Sequence, residues 1–595
     1  MDLEVNGLFL DTEEDKDDFR FLAPARKDAL IKTYIDGINT FKAMETEIAA
    51  AKESVYLTFW MFDVAIPLFG PTKGPGARTW GDMLFNAAKG GVDVRLILSD
   101  FDAIAQIGYH RQIWRMYRKL MERRDKLDAG KRDRLQVICS LHDATISGAL
   151  DPFINKTWAG KLQAIVAGLN ESPTSYGEKP GVWNNVEFIK AKSKFRAVKK
   201  PEFTVSPASH HQKTCVVDGR IAFVGGLDVV GGRVDLQTHP GDISGFPGNG
   251  WHDVQCSVEG EPVADVARNF VGRWNRERLL FEKFVKDANA LGRGHSLRTL
   301  ITTPIAAVPA AAAPRAGNAR AQVHRTLSID GGLGLRSPDT VRQDIKNIYE
   351  NAIGSAERYI YIENQYLRAT TIGDWIIDRK KKVPGLQVII VLPVAPEEVG
   401  YDKTVDPVTL EGIALQHGLL TRLKGKLKGD LGLYSMVKRA RASKPKGDNE
   451  KPSTHTQSCR SDMILVHSKV MIIDDVFATV GSANANLRSF RVDTEMNLSW
   501  LDAGSATKLR LDLWKEMLGS PKGIADWPVS EYVKRWNGIA EANCKAGPKN
   551  RNGFVVPHDP DRFKGDKSVL IPAEMTELLP AWTEDGTPGS EGVVV

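Results

Sequence analysis

Two short stretches that lie 256 residues apart share one pattern, and this repeat constrains the fold of the whole chain. The stretches are "HHQKTCVVDG" (210–219) and "VHSKVMIIDD" (466–475). A histidine is followed at offsets of 2, 7 and 14 by lysine, aspartate and a glycine-containing pair: His211, Lys213, Asp218 and Gly225-Gly226, then His467, Lys469, Asp474 and Gly481-Ser482. A period of about 250 residues is far longer than solenoid repeats. The repeat therefore predicts gene duplication and two lobes related by a pseudo-twofold axis.

Each half of the chain also repeats an order of helices and strands. A helical stretch and an apolar strand occupy 41–52 and 53–62 in the first half, and 345–356 and 357–366 in the second. A second apolar strand follows in each half, at 92–100 and at 386–394. This alternation predicts the α/β class, with two homologous lobes, each a mostly parallel sheet flanked by helices.

Composition along the chain sets the expected boundaries. The stretch at 291–322 is rich in Ala, Pro and Gly, which marks a linker between the lobes. We therefore expect five segments: an N-terminal extension (1–29), a first lobe (30–290), this linker, a second lobe (323–560) and a C-terminal tail (561–595).

The H-x-K spacing itself indicates a binding chemistry. Residues i and i+2 of a strand face the same side, so His211 and Lys213 should point together, as should His467 and Lys469. If the lobes meet along these edges, two imidazoles and two ammonium groups converge on one pocket at the lobe interface. Lysine repels a cation, so the pattern favours an anion such as a phosphodiester over a metal.

Phosphodiester chemistry assigns roles to the neighbouring residues. One neutral imidazole can attack phosphorus, the other can protonate the leaving oxygen, and the lysines can stabilise the phosphoryl charge. A carboxylate behind each histidine would fix its tautomer, and Asp253 and Glu495 are the candidates because each opens a matched strand. Further candidates for phosphate binding lie at matched positions: Asp228, Asn484, Gly226 and Ser482. We interpret Asp218 and Asp474, which end their strands, as structural residues.

Charge and hydropathy exclude some classes of protein. The net charge of +6, from 80 basic and 74 acidic residues, is low for a dedicated nucleic-acid binder. No signal peptide and no apolar run of about 20 residues is visible, so we expect a cytoplasmic protein, with signal-independent export as an effector as the alternative. The five cysteines are scattered and show no CxxC spacing, which argues against a zinc knuckle or a disulfide framework.

At these motifs the chain resembles the phospholipase D superfamily, whose mark is a duplicated H-x-K-x4-D. "HHQKTCVVDGRIAFVGGLDVVGGRVD" and "WHDVQCSVEGEPVADVARNFVGRWN" are similar to the first catalytic half of the plant and animal enzymes. "YIYIENQYL" and "HSKVMIIDDVFATVGSANANLRSFRVDTE" are similar to the second, and the compact form looks like a bacterial member.

The resemblance implies an active site at the interface of two α/β lobes, with His211 as nucleophile and His467 as acid. It implies phosphate binding by Lys213, Lys469, Asn484 and Asp228. It also implies chemistry without a metal or other cofactor. Calcium dependence is not indicated, because nothing before the core resembles a calcium-binding C2 module.

The leading hypothesis is a phosphodiesterase that releases phosphatidic acid and a head-group alcohol from glycerophospholipids, with transphosphatidylation as a side activity. A phosphatidyltransferase of the cardiolipin or phosphatidylserine synthase type, a nuclease and an inactive scaffold are the alternatives; a scaffold would be expected to have lost a motif histidine or lysine. The expected partner is a phospholipid surface or dispersed phospholipid, with no stable nucleic acid. A monomer is expected because both half-sites lie in one chain.

Overall fold

The structure is a computed structural model that describes most of the chain. The described residues are 8–11, 20–70, 76, 78–144, 146–147, 152–206, 208–240, 250–292, 296–298, 302–311, 317–330, 339–395, 407–439, 463–546 and 548–563. Residues 1–7 and 12–19 of the predicted N-terminal extension, parts of the predicted linker and the predicted tail from residue 564 onward lie outside this set.

Strands and helices alternate along both halves. The strands of the first half are β1 (Arg26–Ile35), β2 (Ser54–Phe59), β3 (Asp93–Ser99), β4 (Leu135–Ser140), β5 (Ile146–Ser147), β6 (Val186–Ile189), β7 (Lys194–Ala197), β8 (Thr204–Val205), β9 (Thr214–Val217), β10 (Ile221–Gly225), β11 (Trp251–His252) and β12 (Val254–Glu259). Its helices are α1 (Gly37–Ala50), α2 (Trp80–Lys89), α3 (Ile107–Arg124), α4 (Pro152–Glu171) and α5 (Pro262–Leu291).

The second half contains a similar set. Its strands are β13 (Ala319–Ile329), β14 (Asp339–Gln343), β15 (Tyr359–Glu363), β16 (Gln387–Val391), β17 (Leu431–Met436), β18 (Leu465–Val466), β19 (Val470–Ile473), β20 (Phe477–Gly481), β21 (Glu495–Leu501) and β22 (Val555–Pro557). Its helices are α6 (Asp344–Ser355), α7 (Thr370–Lys382), α8 (Pro407–Leu427), α9 (Ala503–Leu518) and α10 (Tyr532–Ala546). No helix in the described part of the chain is long and apolar enough to cross a lipid bilayer.

One large sheet runs through both halves, and its strand order is the same from the centre outwards. The order is β22-β17-β16-β15-β19-β20-β21-β13-β1-β12-β10-β9-β2-β3-β4, and β14 pairs with β13. The antiparallel pair of β1 and β13 joins the halves at the centre. Counted from that pair, β12, β10, β9, β2, β3 and β4 correspond to β21, β20, β19, β15, β16 and β17.

The predicted α/β class with two similar halves is confirmed, but the sheet is mixed where we predicted it to be mostly parallel. Among the described strands of this large sheet, parallel pairing is confined to β2, β3 and β4 and to their counterparts β15, β16 and β17. The inner strands pair antiparallel, and tight turns connect β9 to β10 and β19 to β20. Asp218 and Gly219 have φ values of 53° and 61° in the three-residue hairpin loop 218–220 between β9 and β10. Asp474 and Asp475, with φ values of 57° and 62°, make the equivalent turn between β19 and β20.

The core lies between the sheet and its helices. Every residue of β2 and of β15 is buried. Tyr56 of β2 stacks on Phe270 of α5 at 4.9 Å between ring centroids, and Tyr361 of β15 packs against Trp514 of α9 at 5.8 Å. These buried strands form a rigid base for the residues at their ends.

Candidate active site

The two H-x-K motifs lie immediately before β9 and β19. We predicted them to lie inside strands, from the i and i+2 spacing of histidine and lysine. Their backbone instead pairs with the opposite half of the chain. The amide of His211 donates to the carbonyl of Thr494 at 2.8 Å, and the amide of His467 donates to the carbonyl of His252 at 2.7 Å. Each histidine is thus bound to the residue that precedes a candidate carboxylate of the other half.

The side chains follow the same crosswise arrangement. The Nδ1 atom of His211 lies 2.9 Å from Oε1 of Glu495, and Nδ1 of His467 lies 2.6 Å from Oδ2 of Asp253. When the Nδ1–H group of a neutral imidazole donates to the carboxylate, the Nε2 atom keeps its lone pair, which can attack phosphorus. Asp253 and Glu495, predicted to lie behind the histidines, are therefore brought to them, each across the interface between the halves.

Burial and charge shift the pKa values of both members of each histidine–carboxylate pair. Burial, with the charges of Lys213 and Lys469, lowers the pKa of His211 well below its ordinary value. Burial, with the charges of Lys469 and other cations that include Lys213, does the same to His467. Burial raises the pKa of Asp253 to about 7 and that of Glu495 to about 8. A neutral imidazole whose Nδ1–H donates to the carboxylate has an unprotonated Nε2 atom suited to nucleophilic attack, whereas a pair that holds a second proton can donate it from Nε2.

The two lysines lie next to the histidines and are buried. The ammonium group of Lys213 donates to the carbonyl of His211 at 2.8 Å, and that of Lys469 donates to the carbonyl of His467. Burial lowers the pKa of Lys213, and it lowers the pKa of Lys469 to about 7. Two buried cations beside two imidazoles make a site for an anion and disfavour a metal at this position.

Asp228, for which phosphate binding remains a prediction, contacts the backbone of the first half and Lys213. Its Oδ1 atom accepts hydrogen bonds from the amides of Trp60 and Met61, at 2.9 and 3.0 Å. Its Oδ2 atom lies 3.6 Å from Nζ of Lys213, and both side chains are fully buried. A carboxylate held in this way neutralises the lysine, and it would repel a phosphate.

Asn484 is the neutral counterpart of Asp228 in the second half. Its side chain is buried, and its Oδ1 atom has no hydrogen-bond partner among the described residues. Its backbone amide donates to Oγ of Ser489. Phosphate binding by Asn484 remains a prediction.

Gly226 and Ser482 act on the carboxylates, although we predicted that they approach the substrate phosphate. A Cβ atom at position 226 would lie 2.3 Å from Oδ1 of Asp253, so only glycine leaves room for that carboxylate. The hydroxyl of Ser482 donates to Glu495, and the hydroxyl of Ser489 donates to the same carboxylate at 2.7 Å. Both residues therefore help to position the groups that hold the histidines.

Asp218 and Asp474, predicted as structural, anchor the hairpin turns to the start of a neighbouring strand. The carboxylate of each accepts three backbone hydrogen bonds of 2.6–2.9 Å: Asp218 from the amides of 52–54, and Asp474 from those of 357–359. These contacts fix β9 against β2 and β19 against β15.

Sequence reasoning missed two tryptophans and an arginine at the site. Trp60 packs edge-on against His211 at 5.7 Å between ring centroids, and Trp251 packs against His467 at 4.9 Å. Arg233 stacks over Trp251, and its charge lowers the pKa of Lys469 and of His467. The sequence contains one signal for Trp251, because this tryptophan lies two residues before the candidate carboxylate Asp253.

Comparison with known families gives matches over both motifs. The family model described as "Phospholipase D" matches residues 184–395, and "Cardiolipin synthase, PLD-like domain" matches 349–517. The chain therefore belongs to the phospholipase D superfamily and is an enzyme of that class.

Individual relatives are distant. Phospholipase D alpha 3 of Arabidopsis thaliana is 26% identical over 55% of this chain and 50% of its own length. Phospholipase D1 of Saccharomyces cerevisiae is 24% identical over 88% of this chain and 31% of its own length. The chain thus spans at most about half the length of these relatives. Among solved structures, the phosphatidylserine synthase of Haemophilus influenzae is similar with a TM-score of 0.43 and 12% identity, over 89% of this chain and 97% of that one.

Proposed function

We propose that the protein hydrolyses glycerophospholipids to phosphatidic acid and a head-group alcohol through a phosphohistidine intermediate. The observation that carries the proposal is the crosswise pair of histidine–carboxylate contacts beside two buried lysines. The superfamily of the chain and the names of its relatives support a phospholipid substrate.

The first step forms the covalent intermediate. Nε2 of His211 attacks phosphorus, and the bond from phosphorus to the head-group oxygen breaks. The pair of His467 and Asp253, which holds a second proton at this stage, donates that proton from Nε2 of His467 to the oxygen. Lys213 and Lys469 stabilise the charge that spreads over the phosphoryl oxygens. In the second step water attacks phosphorus, His467 accepts its proton, and the P–N bond breaks to release phosphatidic acid. No metal takes part in either step.

The choice of His211 as nucleophile agrees with its greater access. The side chain of His211 is 14% exposed and that of His467 is 4% exposed. Trp60 contacts His211, and it is followed by a chain of aromatic rings that includes Phe101 and the half-exposed Tyr109. This aromatic surface is a candidate for contact with the lipid part of the substrate.

A phosphatidyltransferase is the second candidate, and the match to the cardiolipin synthase family model favours it. The same phosphohistidine would then be attacked by the alcohol of a second lipid or of a small head group. The two candidates differ in the acceptor and share every residue described above.

The test is incubation of the full chain with mixed phospholipid vesicles and ethanol, with the products identified by mass spectrometry. We expect phosphatidic acid and phosphatidylethanol, because a phosphohistidine discriminates poorly between water and a small alcohol. Cardiolipin formed from phosphatidylglycerol would support the transferase instead. Cleavage of DNA or RNA with no lipid product would contradict both candidates, and the His211→Asn variant serves as the blank.

A further inference from the structure

A second cluster of titratable side chains lies behind the active site. It contains Asp36, between β1 and α1, His239 and His252 of the first half, and Glu516 of α9. One nitrogen or oxygen atom from each of the four side chains lies within 4.8 Å of the other three, and all four residues are buried. The cluster shares no side chain with the proposed chemistry.

Each histidine of the cluster is oriented by an additional carboxylate on its outer side. Nδ1 of His239 lies 2.7 Å from Oδ2 of Asp235, and Nε2 of His252 lies 3.1 Å from Oε2 of Glu363. These contacts direct Nε2 of His239 and Nδ1 of His252 towards Asp36 and Glu516. Histidines that bind metals are typically held in this way, with the outer nitrogen donating to a carboxylate.

One hydrogen bond lies within the cluster, between Nε2 of His239 and Oε1 of Glu516 at 3.2 Å, and it leaves other inner atoms unsatisfied. Oδ2 of Asp36, Nδ1 of His252 and Oε2 of Glu516 are buried and have no hydrogen-bond partner among the described residues. Nδ1 of His252 lies 3.2 Å from Oδ1 of Asp36 and 3.0 Å from Oε1 of Glu516, yet neither contact has hydrogen-bond geometry. Buried polar atoms left in this state are costly.

We propose that Asp36, His239, His252 and Glu516 bind one divalent transition-metal ion, and zinc fits the ligand set best. Two imidazoles and two carboxylates are common zinc ligands, whereas magnesium and calcium prefer sites made of oxygen atoms alone. The ion would also offset part of the negative charge of four carboxylates with buried side chains, those of Asp36, Glu516, Asp235 and Glu363.

The position of the ion indicates a structural role. Three ligands come from the first half and Glu516 comes from the second, so the ion connects the halves. His252 precedes Asp253, and its carbonyl accepts the amide hydrogen of His467. The ion would therefore hold the segment that positions the acid of the proposed reaction. A cavity of about 640 Å³, whose lining includes Ile35, Gln237 and Glu516, offers a route of access.

A metal-free network of charged imidazoles is the competing arrangement. Although burial opposes the charge, the surrounding carboxylates that include Asp36 raise the pKa of His239 to about 10. Those around His252, with Glu516 contributing most, raise its pKa well above the ordinary value. In that arrangement both imidazole rings stay positively charged and bind no ion. The metal content of the protein therefore distinguishes the metal site from the metal-free network.

The test measures metal in the full chain, purified without chelator from cells supplied with zinc, by elemental analysis. We expect about one ion per chain, and a Co²⁺-loaded sample should show the visible absorption of a nitrogen- and oxygen-ligated ion. His239→Asn should lose the ion. His110→Asn is the matched control, because His110 is a buried histidine whose Nδ1 atom lies 2.8 Å from Asp100, outside the cluster, and this variant should keep the ion.

A second variant covers the case in which His239→Asn does not fold. Asp235→Asn leaves all four ligands in place and should weaken metal affinity roughly 10- to 100-fold, the usual effect of removing such an outer carboxylate. Folded wild-type protein without metal, even after refolding with zinc, would overturn the proposal. So would an unchanged metal affinity in Asp235→Asn.

Discussion

The two half-sites share one layout and differ in the charge beside their lysines. Lys213 faces Asp228 at 3.6 Å, whereas the position that corresponds to Asp228 in the second half is Asn484. Burial lowers the pKa of both lysines, but Asp228 opposes this for Lys213, and the pKa of Lys469 falls to about 7. Duplication thus produced one lysine with a carboxylate at 3.6 Å and one whose pKa falls further, although the charge of Asp253 opposes the fall.

The carboxylates of the half-sites are also supported differently. Glu495 accepts hydrogen bonds from the hydroxyls of Ser482 and Ser489, the latter within a π-helical turn at Arg488–Val492. Asp253 instead packs against Gly226 and accepts a hydrogen bond from the amide of Val254 at 2.8 Å. The carboxylate behind the proposed nucleophile is therefore held by more side-chain donors than the one behind the proposed acid.

Replacement of the histidines should give the largest difference between the half-sites. His211→Asn should abolish the covalent intermediate, because no other group attacks phosphorus. His467→Asn should lose about 10²–10⁴ in rate on ordinary substrates and much less on those with good leaving groups, which need little protonation. Rapid-quench labelling followed by peptide mass spectrometry measures both. A phosphoryl group on His467 in the wild-type enzyme would reverse the assignment.

Replacement of either lysine should reduce kcat by a similar factor, but the two variants should differ in the free energy of unfolding. Lys213→Met and Lys469→Met should each lose about 10²–10³ in kcat, as other preorganised charge donors do. Lys213→Met also leaves Asp228 buried without its cation, which costs up to about 3–5 kcal/mol in the free energy of unfolding. Urea unfolding compares the two variants. An equal loss of stability in both would show that Asp228 is not the counter-ion of Lys213.

The pH dependence should follow Lys469. This residue is cationic below its pKa of about 7 and neutral above it, so kcat/KM should fall as the pH rises through 7. Asn484→Asp adds a negative charge and should move this decline upward by roughly 1–3 pH units. Lys469→Arg keeps its charge at every accessible pH, and it should weaken the decline, to which Asp253, with a pKa of about 7, also contributes. Identical profiles for wild type and Asn484→Asp would contradict the comparison.

Much of the site could be predicted from the sequence because the duplication repeats its spacing. His211, Lys213, His467 and Lys469 stood out through equal offsets, and Asp253 and Glu495 through matched strand starts. The partner of each histidine could not be predicted, because the crossing depends on the way in which β1 and β13 join the halves.

Other features depend on contacts that leave no pattern in the sequence. Gly226 was expected beside the phosphate, but its place is set by the Asp253 carboxylate, which packs against it from another strand. In the sequence, Asp228 is a polar residue at a position that matches Asn484. Its contact with Lys213 is visible only in the structure. The proposed metal ligands come from four separate segments without a ligand spacing, so sequence analysis gave no metal site.

The crosswise contacts are tested most directly by NMR of the histidine side chains, with ¹⁵N-labelled histidine and assignments from His211→Asn and His467→Asn. An Nδ1–H proton hydrogen-bonded to a carboxylate gives a separate downfield resonance. Glu495→Gln should shift or remove the resonance of His211 and leave that of His467, and Asp253→Asn should do the reverse. Loss of the His211 resonance in Asp253→Asn, with no effect of Glu495→Gln, would place each pair within one half and contradict the account.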